Sequence, residues 1–164
     1  MATATYIPIA TQTLGSAASS ITFSSIPNTY TDLRLVLTGL AAAADTPSIQ
    51  FNGDTATNYS GTDVVGYGSG VNYSSQTSTS YMQLTFYGTT STTVPIFISA
   101  DVFSYAGATN KTVLSTVSRD ANGSGTVDLL VGLWRSTATI TSITIFLAGG
   151  TNLSTGFMAT LWGI

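Results

Sequence analysis

Leu33, Leu35 and Leu37 alternate with Asp32, Arg34 and Thr38 through residues 31–40, and a period of two puts the leucines on one face of a strand and the polar side chains on the other. This is the clearest half-buried strand in the chain. The same period recurs at Ile21 and Phe23, at Ile49 and Phe51 within residues 48–52, and at Leu84 and Phe86 within residues 81–87. It returns at Val113 and Val117, at Ile143, Ile145 and Leu147, and at Phe157, Ala159 and Leu161. Residues 94–105 form a longer apolar run holding Asp101, and residues 126–135 gather Leu129, Val131 and Leu133 on one face. No segment shows helical periodicity. Residues 37–44, with their four consecutive alanines, are too short to stand as a helix and continue a strand. Residues 6–14 predict an edge strand or an arm, because Pro8 cannot donate to a central ladder.

Turn chemistry separates these runs at Ile26-Pro27-Asn28, Asn52-Gly53-Asp54, Ala121-Asn122-Gly123-Ser124-Gly125 and Gly149-Gly150-Thr151-Asn152. Between residues 54 and 80 the alternation dissolves among Gly, Ser, Thr and Asn, with Tyr59, Tyr67 and Tyr73 interspersed. One irregular strand over residues 59–65 followed by a long loop is expected there, and loops of that length usually carry function or are disordered. About eight to eleven short strands at ~8–12-residue spacing predict an all-β fold, a sandwich or barrel, with a jelly-roll-like antiparallel β-sandwich preferred. The 164 residues suffice for one core. The expected organisation is an N-terminal arm or edge strand over residues 1–14 and a single sandwich domain over residues 15–164. No repeat at a period of roughly 20–50 residues suggests a propeller or solenoid.

Composition sharpens this picture. Thr and Ser account for 30 and 21 residues, while charged side chains make up 7%, far below the ~25% of an ordinary soluble domain. All seven acidic residues are Asp, and Lys111 is the single lysine, so the chain is poor in helix formers and rich in β-branched residues. A 43% hydrophobic content supplies enough apolar surface to offset the entropy of folding and argues against disorder. Arg34, Lys111, Arg119 and Arg135 are scattered and the net charge is −3, which speaks against a nucleic-acid partner, since phosphate neutralisation needs clustered basic groups. No apolar run approaches the ~18 residues that would span a bilayer. The start, from Met1, lacks a basic stretch followed by an apolar one, so synthesis in a cytoplasm is expected. The Asn-x-Ser/Thr triplets at Asn58, Asn72, Asn110, Asn122 and Asn152 are what chance places in so hydroxyl-rich a chain.

Candidate chemistry is sparse. The chain has no Cys and no His, which removes thiolates and the commonest general base and metal ligand. A serine nucleophile would have Lys111 as its one amine partner, and no nucleophile-elbow pattern accompanies it. Asp45, Asp54 and Asp63 lie in or near the irregular region as candidate acid and base for a glycoside, against the ordinary role of Asp in turns. Asp120, Asn122, Ser124 and Gly125 match the first half of a calcium loop, but position 12 falls on Val131, which has no carboxylate, so a hairpin turn accounts better for residues 120–128. Gly66, Gly68 and Gly70 miss the dinucleotide fingerprint and form a flexible loop. Trp134 and Trp162 are expected in the core, and Tyr59, Tyr67 and Tyr73 are the better candidates for contacts with a partner. No catalytic, cofactor-binding or metal-ligating residue is therefore assigned, and no enzyme activity is expected. A carbohydrate-binding or glycan-degrading sandwich is the runner-up from another class, weakened by the absence of Glu.

A surface with so few charges suits a protein held by neighbours in a symmetric assembly. Several segments carry a resemblance that gives this a form. They are Tyr6-Ile-Pro-Ile-Ala-Thr-Gln-Thr-Leu14, Phe23-Ser-Ser-Ile-Pro27 with Tyr30-Thr-Asp-Leu33, Phe51-Asn-Gly-Asp54 with Asn58-Tyr-Ser60, Leu133-Trp-Arg-Ser-Thr137 and the terminal Leu161-Trp-Gly-Ile164. Nearly end to end, the chain resembles small β-rich virion structural proteins of tailed bacteriophages, including those infecting cyanobacteria. The resemblance implies a virion component. Because all 164 residues fit one globular unit with no trunk, a capsid decoration (cement) protein on the head surface is favoured. Its expected partners are the major capsid protein and further copies of itself, with a homotrimer expected and neither nucleic acid nor membrane involved. The alternative is a tail fibre or receptor-binding head module that adheres to host surface glycans.

Overall fold

In a computed structural model, which describes residues 5–164, twelve strands form two antiparallel sheets. The wide sheet runs in the order β1 (Ile7–Thr13), β12 (Met158–Gly163), β3 (Leu33–Gly39), β8 (Ile96–Phe103), β9 (Lys111–Arg119), β10 (Thr126–Trp134), β5 (Tyr59–Gly66), β6 (Val71–Thr79). The narrow sheet runs β2 (Ser20–Phe23), β11 (Ile143–Leu147), β4 (Pro47–Phe51), β7 (Met82–Gln83). Three nested pairs define the topology: β3 lies against β12, β4 against β11 and β5 against β10, alternating between wide, narrow and wide sheet. A ribbon of paired strands rolled across two layers in this way is a jelly roll. The expected all-β sandwich is therefore the fold that forms.

The core lies between the sheets, where Leu33, Leu35 and Leu37 of β3 meet Ile49 and Phe51 of β4 and Ile143 and Ile145 of β11 in one apolar cluster. β1 is the edge strand expected for residues 6–14, pairing with β12 and slipping register between Pro8 and Ala10. The first four positions of the expected arm, and with them the beginning of the start read for a leader, lie outside the described residues. Asn52 and Gly53 both adopt positive φ, of 54° and 66°, and Asp54 N donates to Phe51 O at 2.9 Å; the Asn-Gly pair makes the tight turn its chemistry predicts.

Two expectations for residues 54–87 are corrected. The long loop after residue 65 is instead β6, joined to β5 by a turn in which Tyr67 N bonds Gly70 O and Gly68 takes a φ of 68°. Its alternation was masked because Val71 and Tyr73 share a face with Ser75 and Thr77, a mixed row that reads as loop. The strand expected over residues 81–87 shrinks to β7, after which residues 84–90 cross the inner side of the wide sheet as an irregular strap. There Thr85 Oγ1 takes the amides of Tyr87 and Gly88, a local alternative to ladder pairing.

Candidate assembly surface

Strand parity in β10 decides what the surface is. Trp134, Leu130 and Asp128 point inward and are buried, so Val127, Leu129 and Val131 must point out. The apolar row that marks this strand in the sequence is thus its solvent face. The ladder extends the row sideways: Leu129 lies opposite Val64 of β5, which lies opposite Tyr73 of β6, and Val131 lies opposite Leu114 of β9. Tyr73 is 80% exposed, Val71 74% and Val127 71%. Beside Tyr73 the face dips into a depression of about 450 Å³, with Ser60, Thr62, Ser75 and Gln76 on one flank and Val131 and Leu133 on the other. At the Val127 end of this side Asp120 accepts from Gly123 N, and beyond Leu114 Arg34 and Asp101 neutralise each other through Nε–Oδ1 and Nη2–Oδ2 contacts of 2.6 Å.

The opposite side of the same strands buries two carboxyls among Tyr59, Val65, Leu130 and Trp134. Asp63 and Asp128 sit diagonally across β5 and β10 beneath the strap, 3% and 1% exposed. Phe86 N donates to Asp63 Oδ2 at 3.2 Å, and Thr85 Oγ1 donates to Asp128 Oδ2. Burial raises both carboxyls above the ordinary range, and the neighbouring Asp63 charge raises Asp128 further.

The other residues singled out from the sequence fall into structural roles. Asp45 Oδ1 accepts from Thr46 N and Gly149 N, and its Oδ2 accepts from Thr151 N. Burial opposes ionisation of Asp45, but these donors prevail and lower its pKa. Asp54 accepts from Asn58 Nδ2, Trp134 Nε1 and Ala56 N, and is lowered by the first two above all. These two carboxyls serve turns while Asp63 is buried elsewhere, so no acid–base pair forms from Asp45, Asp54 and Asp63. Lys111 is buried, donates Nζ to Gly107 O and Thr109 O, and has its amine pushed down by burial. Asp120 stays at the β9–β10 turn and accepts from Gly123 N at 2.9 Å. Asp128 faces inward from β10, so the hairpin accounts for residues 120–128. Among the described residues no group of three or more His, Cys, Asp or Glu gathers to hold a metal. Gly66 closes β5, while Gly68 and Gly70 shape the β5–β6 turn.

The aromatic assignments divide. Trp134 is buried as expected, 5.4 Å from Phe51 and stacked on Tyr59 at 6.3 Å between ring centroids. Tyr59 is no contact residue: it is fully buried, Phe51 N donates to its hydroxyl at 3.0 Å, and burial pushes its pKa up to about 12. Trp162 lies half-buried on the outward face of β12 between Pro8 and Arg34, because Ala159 and Leu161 take the inward positions. Tyr67 and Tyr73 are exposed. Sequence reasoning missed the Asp63–Asp128 pair and the outward direction of Leu129. The signal lay in Trp134, whose bulk demands the core and whose parity Asp128 shares.

No protein family and no curated protein matches the chain. The galectin LEC-6 of Caenorhabditis elegans, a solved structure, is similar over 89% of this chain and 92% of its own, at 13% identity and a TM-score of 0.37.

Proposed function

We propose that the chain is a non-catalytic structural subunit of a tailed-bacteriophage virion, a decoration (cement) protein that binds the outer surface of the major capsid lattice and stabilises the head. The observation that supports this is the fate of the charges. Arg34 pairs with Asp101, while Lys111, Arg119 and Arg135 donate to backbone carbonyls. Asp32, Asp45, Asp54, Asp63 and Asp120 accept backbone amides, and Asp128 accepts from Thr85. Every charged side chain is thereby engaged within the fold, and the rest of the outward surface is largely Ser, Thr and apolar residues.

Interspersed free charge keeps a solitary protein from associating. A tile clamped between neighbours has no such need, and its hydroxyl side chains lose less entropy on contact than Lys or Glu would. On this reading copies of the chain associate with one another and with the capsid subunits, adding buried area that resists pressure from packaged DNA. Electron cryomicroscopy of the virion is the test, with density for this fold expected over the head lattice. Density restricted to tail appendages would overturn the assignment in favour of a fibre or receptor-binding module.

A further inference from the structure

We infer that the outward face of β5, β6 and β10 is the contact through which two copies of this chain pack sheet against sheet about a twofold axis. Val64, Val71, Tyr73, Val127, Leu129 and Val131 are all large, apolar and 46–80% exposed. They form one connected patch, because the ladder sets Leu129 against Val64, Val64 against Tyr73, and both Val71 and Val127 against Gly66. Together they leave roughly 700 Å² in water, above the ~300–600 Å² of the largest patch on a typical monomer. With the hydroxyls between them, the face reaches the ~800 Å² that each partner contributes to a standard interface.

The chemistry of the face selects a second copy as the occupant. A partner recognised through charge has little to hold, since Asp120, at the Val127 end of the face, already accepts from Gly123 N and the Arg34–Asp101 pair beyond Leu114 is closed on itself. A twofold contact requires a surface to complement itself. Here the protruding ring of Tyr73 stands beside the depression lined by Ser75, Gln76 and Val131, so each copy offers both a knob and a hollow. Stacked sheets pack about 10 Å apart at an angle set by their twist, and four layers would then replace two. The flanking Ser60, Thr62 and Thr112 form the polar rim usual around an apolar interface core.

The pairing stands whether the particle carries the chain on its head or its tail, so failure of one proposal leaves the other open. Sedimentation velocity on the full chain, up to about 100 µM, is expected to give twice the monomer mass of 16.9 kDa. Leu129→Asp places one buried charge from each copy in the interface, so its effect is doubled by symmetry. It is expected to weaken self-association about 100-fold. Tyr73→Asp, at the most exposed of these positions, supplies a second reading that does not touch the core, and Thr137→Asp in an exposed loop serves as the control that leaves the dimer intact. Near-ultraviolet circular dichroism checks that each variant keeps its fold. A monomeric wild type, a threefold mass, or a dimer that survives both aspartates in folded protein overturns the pairing.

Discussion

The two halves of the wide sheet differ in whether they bury charge. Across β12, β3 and β8 the inward face is wholly apolar, with Leu33, Leu35, Leu37, Ile98, Ala100 and Leu161 fully buried. The outward face of that half carries Arg34, Asp101, Thr38 and Thr160, with Phe97 and Phe103 of β8 also exposed. Across β10 and β5 the inward face holds Asp63 and Asp128 among Tyr59, Val65, Leu130 and Trp134, and the outward face holds Val64, Leu129 and Val131. The cause is what covers each half. The narrow sheet lies over the first, reaching the second where Phe51 meets Trp134 and Met82 meets Gly132, and satisfies its own backbone in ladders, so apolar side chains fit between. An irregular strap covers the second, and its unpaired amides at residues 86–88 need acceptors, which Asp63 and Thr85 provide. One half buries a seam that a sheet can close, while the other buries the polar groups a loop requires and leaves its apolar row for something else to cover.

The contrast is broken most severely by truncation. Leu35→Ala in the sheet-covered half is expected to cost about 2–5 kcal/mol in chemical denaturation. The same change at Leu129 should cost no more than about 0.5 kcal/mol in the monomer; equal losses at the two sites would show that both halves are covered alike. Next comes Thr85→Val, which keeps the shape but withdraws the hydroxyl that donates to Asp128 and accepts from Gly88 and Tyr87. Leaving those buried groups unmatched is expected to lower stability by about 1–3 kcal/mol. A neutral outcome would mean that the strap is not fastened by this residue.

A pH series sharpens the comparison further. Asp63 and Asp128 have folded pKa values raised above 3.8, with burial the leading cause, so the native state holds protons more tightly than the unfolded chain. Their contribution is complete below that pH and is lost as pH rises through the folded values. Asp45 and Asp54, whose values are lowered, behave in the reverse sense and lose their contribution as pH falls below 3.8. As pH rises above 3.8 through the folded values of this pair, the urea midpoint of the wild type is therefore expected to decline, and Asp128→Asn should flatten that decline. An unchanged slope in the variant would remove the pair from the account. The smallest effect belongs to the outward ion pair: Arg34→Met, with side chains 33% and 20% exposed at Arg34 and Asp101, should cost at most about 1 kcal/mol, less in high salt.

Alternation made most of the fold legible. Leu33, Leu35 and Leu37 identify β3, Ile143, Ile145 and Leu147 identify β11, and Asn52-Gly53 marks its turn, because each of these rests on a local steric or solvation rule that neighbours do not override. The strands lost were those whose rows mix types. In β6 the outward side carries Val71 and Tyr73 with Ser75 and Thr77, and an edge strand with little to bury has no reason to keep a clean period. Conversely, Leu84 and Phe86 suggested a strand where the pairing ends: Leu84 is buried with its amide on Pro47 O of β4, and Phe86 N turns away to Asp63.

By itself the amino-acid sequence determined that this protein is built of strands, that its turns fall where Gly and Asn permit positive φ, and that its chemistry excludes thiols and imidazoles. Only the tertiary structure decided which side of each strand faces water. A period of two leaves two equivalent orientations, and the choice between them is made by the bulkiest inward neighbour, here Trp134 wedged against Phe51 and Tyr59. That single parity buried two carboxyls and turned Leu129 and Val131 out.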